Sequence, residues 1–225
     1  MSSEEEGPSL AAFADRRDAG RQLAAQLLQP APDDPIVVGL PRGGVPVAAE
    51  VAAALDAPLE VLTVRKLGAP HNPEYGIGAI AEDGTRVLDR VALEALGVDH
   101  ATLDSIVDRE TRELSRRVAA YRGGRRSLAL SGRTVIVVDD GVATGITDTA
   151  ALRAARRQRP SRLILAVPVG APESVEHLRG EADEVVCLIE PQLLYGVGQW
   201  YTDFTQVTDA EVVGALRRAE ADDPA

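Results

Sequence analysis

Two kinds of hydrophobic pattern alternate along most of the chain. Short runs of Val, Ile and Leu are typical of buried strands, and longer stretches with apolar residues every three or four positions are typical of amphipathic helices. The short runs predict strands at residues 36–40, 59–64, 135–138, 163–167 and 185–189, and the longer stretches predict helices at 13–28, 45–55, 103–121, 146–158, 172–179 and 209–218. Because such alternation favours parallel strands joined by right-handed crossovers, it predicts an α/β fold with a mostly parallel central sheet and helices on both faces.

The alternation is interrupted after the second predicted strand. Residues 65–76 contain glycine, proline and asparagine without any periodicity, and they are predicted to form a long flexible loop. Residues 77–81 and 86–88 are joined by Glu-Asp-Gly-Thr and are predicted to form a β-hairpin. The whole segment 65–88 is therefore expected to be a loop followed by a hairpin.

The two ends of the chain differ from its middle. Residues 1–8 are polar and acidic and are expected to be mobile. The alternation of strands and helices ends at residues 191–207. A chain of 225 residues is long enough to bury a full α/β core, and 45% of its residues are hydrophobic. We therefore expect a single domain over residues 1–225.

Composition argues against several classes of partner. The net charge of −11 disfavours broad binding to nucleic acids or to anionic membranes, because both need a basic face on the protein. No apolar run approaches the ~18 residues of a membrane span. The single cysteine, Cys187, precludes an internal disulfide and fits a reducing compartment. These features predict a cytoplasmic protein without nucleic-acid or membrane partners.

The most informative motif is Val-Ile-Val-Val-Asp-Asp-Gly-Val-Ala-Thr-Gly-Ile-Thr at residues 135–147. Its buried strand ends at Asp139 and Asp140, and a glycine-containing turn then opens a helix, whose N–H groups and partial positive charge suit a phosphate. Two carboxylates beside an anion site require sugar hydroxyls or a hydrated divalent cation between them. The motif therefore predicts a site for a phosphorylated sugar; the alternative is a doubly wound domain with an ordinary acidic strand end.

This motif resembles that of the type I phosphoribosyltransferases. The resemblance implies that Asp139 and Asp140 are catalytic residues that hold the ribose hydroxyls of phosphoribosyl pyrophosphate (PRPP), with any contact to Mg²⁺ made through those hydroxyls or water. It also implies a binding loop for the 5-phosphate, formed by Gly141, Val142, Ala143, Thr144, Gly145 and Thr147. Two positions depart from the family pattern. Gly141 replaces an aliphatic residue, and Ala143 replaces the acidic residue of the purine-salvage members, which disfavours that subclass.

A second glycine-containing turn, residues 39–44, follows the first predicted strand. It is not a Walker A loop, because Val45 follows Gly44 where a lysine would be needed. When this turn is considered alone, the alternative is an ordinary connection between a strand and a helix. In combination with the first motif, the resemblance implies that the backbone of Arg42, Gly43 and Gly44 binds the pyrophosphate of PRPP.

Arg65 and Lys66 follow the second predicted strand, and Lys66 is the only lysine in the chain. The resemblance places both cations beside the pyrophosphate turn, with Lys66 as a catalytic residue. The loop after them would close over the site and exclude water, which would otherwise hydrolyse the activated ribose. A surface Arg-Lys pair in a solvent-exposed loop is the alternative.

Two further clusters of residues are weaker candidates. The resemblance implies a small C-terminal hood at 191–207 over the accepting base, where Leu194, Tyr195, Trp200 and Tyr201 could stack on a ring, although Trp200 and Phe204 could equally pin the last helix. Near the N-terminus stand Phe13, Asp15, Arg16 and Gly20; a helix cap with surface charges is favoured there over a role at the site.

The expected activity is Mg²⁺-dependent transfer of the 5-phosphoribosyl group from PRPP to a nitrogenous base, with release of pyrophosphate. The partners would be PRPP and a small-molecule base, and a homodimer is the default assembly. The alternative is a non-catalytic regulatory protein of the same fold that senses PRPP or a nucleotide. The absence of an acidic residue at Ala143 keeps this alternative open.

Overall fold

A computed structural model of the chain describes residues 12–124 and 127–221. The tail predicted at 1–8 lies outside these residues. The strands are β1 (Pro35–Gly39), β2 (Leu59–Val61), β3 (Val64–Ala69), β4 (Asn72–Ala81), β5 (Arg86–Leu88), β6 (Thr134–Val138), β7 (Arg162–Val169) and β8 (Glu184–Ile189). The helices are α1 (Arg16–Leu27), α2 (Gly44–Leu55), α3 (Arg90–Ala95), α4 (His100–Arg122), α5 (Ile146–Arg157), α6 (Pro172–Leu178) and α7 (Asp209–Ala221).

The central sheet has five strands in the order β2-β1-β6-β7-β8, and every neighbouring pair is parallel. Its strands are the five apolar runs of the sequence, and β6 is buried along its whole length. The order places β1 and β6 side by side, with Val38 opposite Val137 in the register. The predicted α/β fold is confirmed, and the carboxyl ends of β1 and β6 lie at the same edge.

Helices cover both faces of this sheet, because successive residues of each strand point to opposite sides. On β6, Ile136 and Val138 pack in one core with residues of α1, α2 and α7. Val135 and Val137 face a second core, which contains the alanines of α5 and Leu178 of α6. Among the described residues, no helix combines the length and the apolar character needed to cross a bilayer.

The prediction of a long loop at residues 65–76 is wrong. β3 and β4 form an antiparallel hairpin in which Lys66 lies opposite Ala79, and β5 completes a separate three-stranded sheet. This sheet has its own core, in which Leu67, Ile77 and Ile80 pack against Ile106 of α4. The glycines that indicated a loop instead allow two strands to approach closely.

Gly68 shows why glycine is required in this hairpin. A Cβ atom there would lie 2.4 Å from the carbonyl oxygen and 2.8 Å from the Cα atom of Pro73, distances that real Cβ atoms do not tolerate. A Cβ atom at Gly76 would meet only the flexible side chain of Lys66, at 3.3 Å. The two glycines therefore form a matched pair within one hairpin.

We predict that Gly68→Ala opens the hairpin, whereas Gly76→Ala leaves it closed. The backbone displacement at Gly68 should lower the free energy of unfolding by about 1–3 kcal/mol, the scale of overpacking in a close contact. Urea unfolding measures the free energy, and hydrogen exchange of the β3 and β4 amides localises the change. Equal effects of the two substitutions would contradict the close packing of Gly68 on Pro73.

Candidate active site

The two glycine-containing turns meet at the carboxyl ends of β1 and β6. The N–H group of Leu40 donates to the carbonyl oxygen of Val138 at 2.9 Å, which joins the two strand ends. A Cβ atom on Gly43 would lie 1.9 Å from Oδ2 of Asp140, and a Cβ atom on Gly44 would lie 2.5 Å from the oxygen of Val138. Glycine is therefore required at both positions, because the first turn lies directly against the two carboxylates.

The turn after β1 offers two unpaired backbone donors. The N–H group of Gly44 donates to the carbonyl oxygen of Leu40 at 3.0 Å and is therefore used within the turn. Among the described residues, no acceptor pairs with the N–H groups of Arg42 and Gly43. The Pro41–Arg42 peptide bond is cis. An anion at this turn would thus be bound by the N–H groups of Arg42 and Gly43, and not by that of Gly44.

The loop after β6 is anchored at Val142 and is exposed at residues 143 and 144. Val142 anchors it, because its N–H group donates to Val169 and its carbonyl oxygen accepts from Ala171, both at 2.9 Å. Ala143 and Thr144 are exposed, and within the described ranges no acceptor pairs with the backbone N–H groups of residues 143–147. Gly145, with φ of 72°, makes the turn into α5. Such a row of unpaired donors at a helix N-terminus suits an anion.

One support of this loop was not found in the sequence. Ser174 of α6 donates its hydroxyl to the carbonyl oxygen of Ala143 at 2.7 Å. Because this bond occupies the carbonyl oxygen of Ala143, it helps to hold the loop in place. Nothing in the local sequence around Ser174 indicates the contact, since it depends on how α6 packs beside α5.

Three carboxyl groups lie close enough to influence one another's ionisation where the two turns meet. Burial raises the pKa of Asp139 well above its usual range, and the charges of Asp140 and Asp148 raise it further. Burial also raises the pKa of Asp140, although the guanidinium of Arg16 opposes this effect. Oδ1 of Asp139 accepts one bond, from the N–H group of Asp140 at 2.8 Å. The site therefore favours a cation or hydroxyl donors beside these carboxylates.

Asp148 is a member of this group that sequence reasoning missed. Only 3% of its surface is exposed, burial raises its pKa to about 7, and its Oδ1 atom has no hydrogen-bond partner among the described residues. An aspartate in the first turn of a helix is normally explained by the helix dipole at a solvated surface. The burial of Asp148 arises only because this end of α5 packs against the sheet.

The expectation that Arg16 is a surface charge is wrong. Asp15 does cap α1, with its side chain accepting the N–H group of Asp18 at 2.7 Å. Arg16, however, is only 11% exposed, and its Nε atom donates to Oδ2 of Asp140 at 2.8 Å. The pair is separated by 124 residues, so no local pattern could have indicated it.

The aromatic residues of the hood, residues 191–207, are joined to the N-terminal segment, whereas Val207 at its end packs with the last helix. The ring of Tyr201 lies 5.3 Å from that of Phe13 and 5.0 Å from that of Phe204. The carbonyl oxygen of Trp200 accepts a hydrogen bond from the backbone N–H group of Phe13, and the Trp200 side chain packs in the same cluster. Within the described residues, this cluster contains no side chain of α7. Tyr201 also donates its hydroxyl to the carbonyl oxygen of Asp140 at 2.6 Å. The alternative that Trp200 and Phe204 pin the last helix is therefore wrong.

Gly141 has a specific reason to replace an aliphatic residue. A Cβ atom there would lie 2.6 Å from Cγ1 of Val197, which belongs to a short 3-10 helix of the hood, Val197–Trp200. The missing side chain lets the hood approach the loop after β6. Tyr195, by contrast, is 80% exposed, so its ring is available at the outer side of the hood.

Arg65 and Lys66 lie on β3, within a hairpin rather than on a long loop. Arg65 donates from Nε and from a terminal nitrogen to Glu110, at 3.0 and 2.6 Å. The ammonium group of Lys66 donates to the carbonyl oxygen of Glu74 at 2.8 Å, and its side chain is 41% exposed. Arg65 is therefore held by a carboxylate of α4, whereas the contacts described for Lys66, which include the carboxylate of Glu74 at 3.6 Å, lie within its own hairpin.

Comparison with known proteins identifies the relatives of this chain. The model of the phosphoribosyl transferase domain matches residues 10–199. Mycobacterium tuberculosis proteins that are provisionally named phosphoribosyl transferases are 50% identical over 210 residues, 93% of this chain and 47% of theirs. The crystal structure of TT1426 from Thermus thermophilus is 46% identical, with a TM-score of 0.77 over 92% of this chain and 98% of that one. The chain thus spans about half of the length of its mycobacterial relatives.

We predict that Asp148→Asn stabilises the protein at alkaline pH. The folded protein holds the Asp148 proton up to about pH 7, whereas an unfolded chain releases it near the ordinary value of 3.8. The stability that protonated Asp148 contributes is therefore fully present below the unfolded pKa of 3.8 and is lost as the pH rises through the folded pKa of about 7. Urea midpoints at about pH 5 and about pH 8 should show a larger gain for the variant at the higher pH, because pH 5 already lies above the unfolded pKa but still below the folded one.

Asp183→Asn is the matched control with the opposite sign. Its hydrogen bonds with Arg156 lower the pKa of Asp183, so its contribution is present at neutral pH and is lost on acidification. The control variant should be less stable than the wild type near pH 8. A loss of stability for Asp148→Asn at that pH would show that Asp148 is not a buried, uncompensated acid.

Proposed function

Because the chain belongs to the phosphoribosyl transferase domain family, we propose that it is a Mg²⁺-dependent phosphoribosyltransferase that transfers the 5-phosphoribosyl group of PRPP to a nitrogenous base and releases pyrophosphate. One observation carries this proposal. Two turns whose N–H groups lack partners among the described residues adjoin a carboxylate pair: the turn at Arg42–Gly43 packs against it, and the turn at 143–147 follows it directly in the chain. PRPP has the same order of groups: a phosphate, a ribose with two hydroxyls, and a pyrophosphate.

The turn 143–147 would bind the 5-phosphate. Its unpaired N–H groups and the dipole of α5 supply partial positive charge, and the hydroxyls of Thr144 and Thr147 can donate further hydrogen bonds. Both threonine side chains belong to residues that are at least partly exposed, so a ligand can reach them. A phosphate there would extend outward from the sheet edge, with the sugar directed toward Asp139 and Asp140.

Asp139 and Asp140 would accept hydrogen bonds from the ribose hydroxyls. The raised pKa values of both carboxyls indicate that their negative charge lacks compensation, and a divalent cation nearby would supply it. The described residues include no cluster of three His, Cys, Asp or Glu side chains that could hold a metal ion. Mg²⁺ fits this arrangement, since it commonly uses few protein ligands and relies on water and substrate phosphates. When bound, Mg²⁺ would neutralise negative charge on the pyrophosphate.

The remaining residues would position the leaving group. The N–H groups of Arg42 and Gly43 would bind the departing pyrophosphate as negative charge develops on it. The C1–O bond to pyrophosphate breaks as the base nitrogen bonds to C1, through a transition state with oxocarbenium character. We retain Lys66 as the candidate for a further cation, because its ammonium group is the less constrained of the two on β3. Little covalent chemistry is asked of the protein beyond this positioning.

A non-catalytic PRPP sensor is the second candidate. The observation in its favour is Ala143, whose methyl group is exposed at the tip of the phosphate loop where purine-salvage members carry an acidic residue. Without that acid, the described part of the loop supplies no base to take a proton from an accepting nitrogen. The sensor would bind PRPP with the same contacts and release no pyrophosphate.

Pyrophosphate release distinguishes the two functions. The protein is mixed with Mg²⁺ and PRPP, and each member of a panel of purine, pyrimidine and pyridine bases is added in turn. Release that depends on one base identifies a transferase and its acceptor. Binding of PRPP by calorimetry without release for any base favours the sensor, and absence of PRPP binding refutes both.

We predict that Asp139→Asn and Asp140→Asn each weaken PRPP binding in the presence of Mg²⁺. Removing a charged acceptor should cost about 1.5–3 kcal/mol of binding free energy, roughly tenfold to hundredfold in the dissociation constant. The fold should persist, because asparagine has nearly the same shape as the carboxyl that it replaces. Calorimetry measures the affinity, and circular dichroism checks the fold.

Asp104→Asn is the control for the loss of one negative charge. Asp104 is exposed on α4 and lies outside the candidate site. It should leave PRPP binding within about twofold of the wild type. If both site variants bind PRPP as the control does, their assigned role at the ribose is refuted.

A further inference from the structure

The guanidinium of Arg16 is held by two hydrogen bonds and one aromatic contact. Its Nε atom donates to Oδ2 of Asp140 and one terminal nitrogen donates to the carbonyl oxygen of Thr205, both at 2.8 Å. Its planar face lies 3.8 Å from the centre of the Phe204 ring. Two edges and one face of the group are thus in use, and its side chain is only 11% exposed.

Asp140 is correspondingly held between two neighbours. Its Oδ2 atom accepts the hydrogen bond from Arg16 and also occupies the space that a side chain at residue 43 would fill. The backbone of the same residue is fixed as well, because its carbonyl oxygen accepts the hydroxyl of Tyr201 at 2.6 Å. Oδ1 is the carboxylate oxygen left for a ligand.

We infer that Arg16 is a positioning residue, which orients the Asp140 carboxylate for the ribose hydroxyls and joins it to the hood. This inference rests on the proposed function and adds a residue from the N-terminal helix to the ribose site. An aspartate side chain rotates easily unless it is held, and a misdirected carboxylate would lose its bond to the sugar. The hood residues Phe204 and Thr205 are fixed by the same guanidinium, so the ribose site and the hood share one support.

Arginine is required for this role, and lysine cannot replace it fully. The planar fork donates in two directions while its face stacks on a ring, whereas an ammonium group is a point charge without a face. Arg16→Lys should therefore keep the charge near Asp140 but lose the orientation. This difference separates a positioning role from simple neutralisation of the carboxylate.

The test uses the full chain, ribose 5-phosphate as the probe, Mg²⁺ in the buffer, and calorimetry. We expect Arg16→Gln to weaken binding by roughly tenfold, the scale of one charged hydrogen bond, and Arg16→Lys to fall between that variant and the wild type. Arg17→Gln is the matched control, because Arg17 is the next residue of the same helix, its side chain is 61% exposed, and its Nε atom is 4.0 Å from Glu50. It should bind within about twofold of the wild type.

A double-mutant cycle excludes a purely structural role. If Arg16 acts through Asp140, then Arg16→Gln should cause no further loss of ribose 5-phosphate binding in an Asp140→Asn background. A general weakening of the fold would instead reduce binding by the same factor in both backgrounds. Circular dichroism and thermal unfolding monitor folding, and Arg16→Lys replaces Arg16→Gln in the cycle if the latter does not fold.

The outcomes separate this inference from the function on which it rests. Equal affinities for the Arg16 and Arg17 variants, or additive losses in the cycle, would overturn the role of Arg16 while the proposed function stands. If the wild-type protein binds neither ribose 5-phosphate nor PRPP, the proposed function itself is overturned, and with it any role of Arg16 at a ribose. A non-additive, tenfold loss restricted to Arg16 supports the inference.

Discussion

The structure of the site depends on the close approach of the turn after β1 to the end of β6. The two strands are neighbours in the parallel sheet, and the bond from Leu40 to Val138 fixes their ends at the same level. Gly43 and Gly44 then lie so near to Asp140 and Asp139 that no side chain fits between them. Two groups of N–H donors that have no partner in the described part of the chain, together with two carboxylates, are thereby confined to one corner, which neither strand could form alone.

This arrangement concentrates like charges that the protein alone does not compensate. Asp139, Asp140 and Asp148 all have raised pKa values, with burial as the leading cause. Buried carboxylates without enough partners cost stability, so they indicate a site adapted to a ligand rather than to the fold. A phosphorylated sugar with its accompanying cation would satisfy both the carboxylates and the turns.

The segments on either side of the sheet complete this corner from distant parts of the chain. Arg16 comes from the first helix, and Tyr201 and Phe204 come from the hood, yet all three are in contact around Asp140 or its neighbours. Gly141 lets Val197 come close on the other side. The hood is therefore part of the support of the carboxylates, and it is not an independent appendage.

The sequence by itself determined the strands of the central sheet, the major helices and the two turns, because these follow from local hydrophobic periodicity and from glycine and aspartate at strand ends. It misjudged residues 65–76, because the glycines of a tightly packed hairpin resemble those of a loop until the partner strand is known. Asp148 and Ser174 were missed because their roles depend on helix packing. Only the tertiary structure decided that Arg16 meets Asp140 across 124 residues, because such a contact is set by the order of strands and leaves no local pattern.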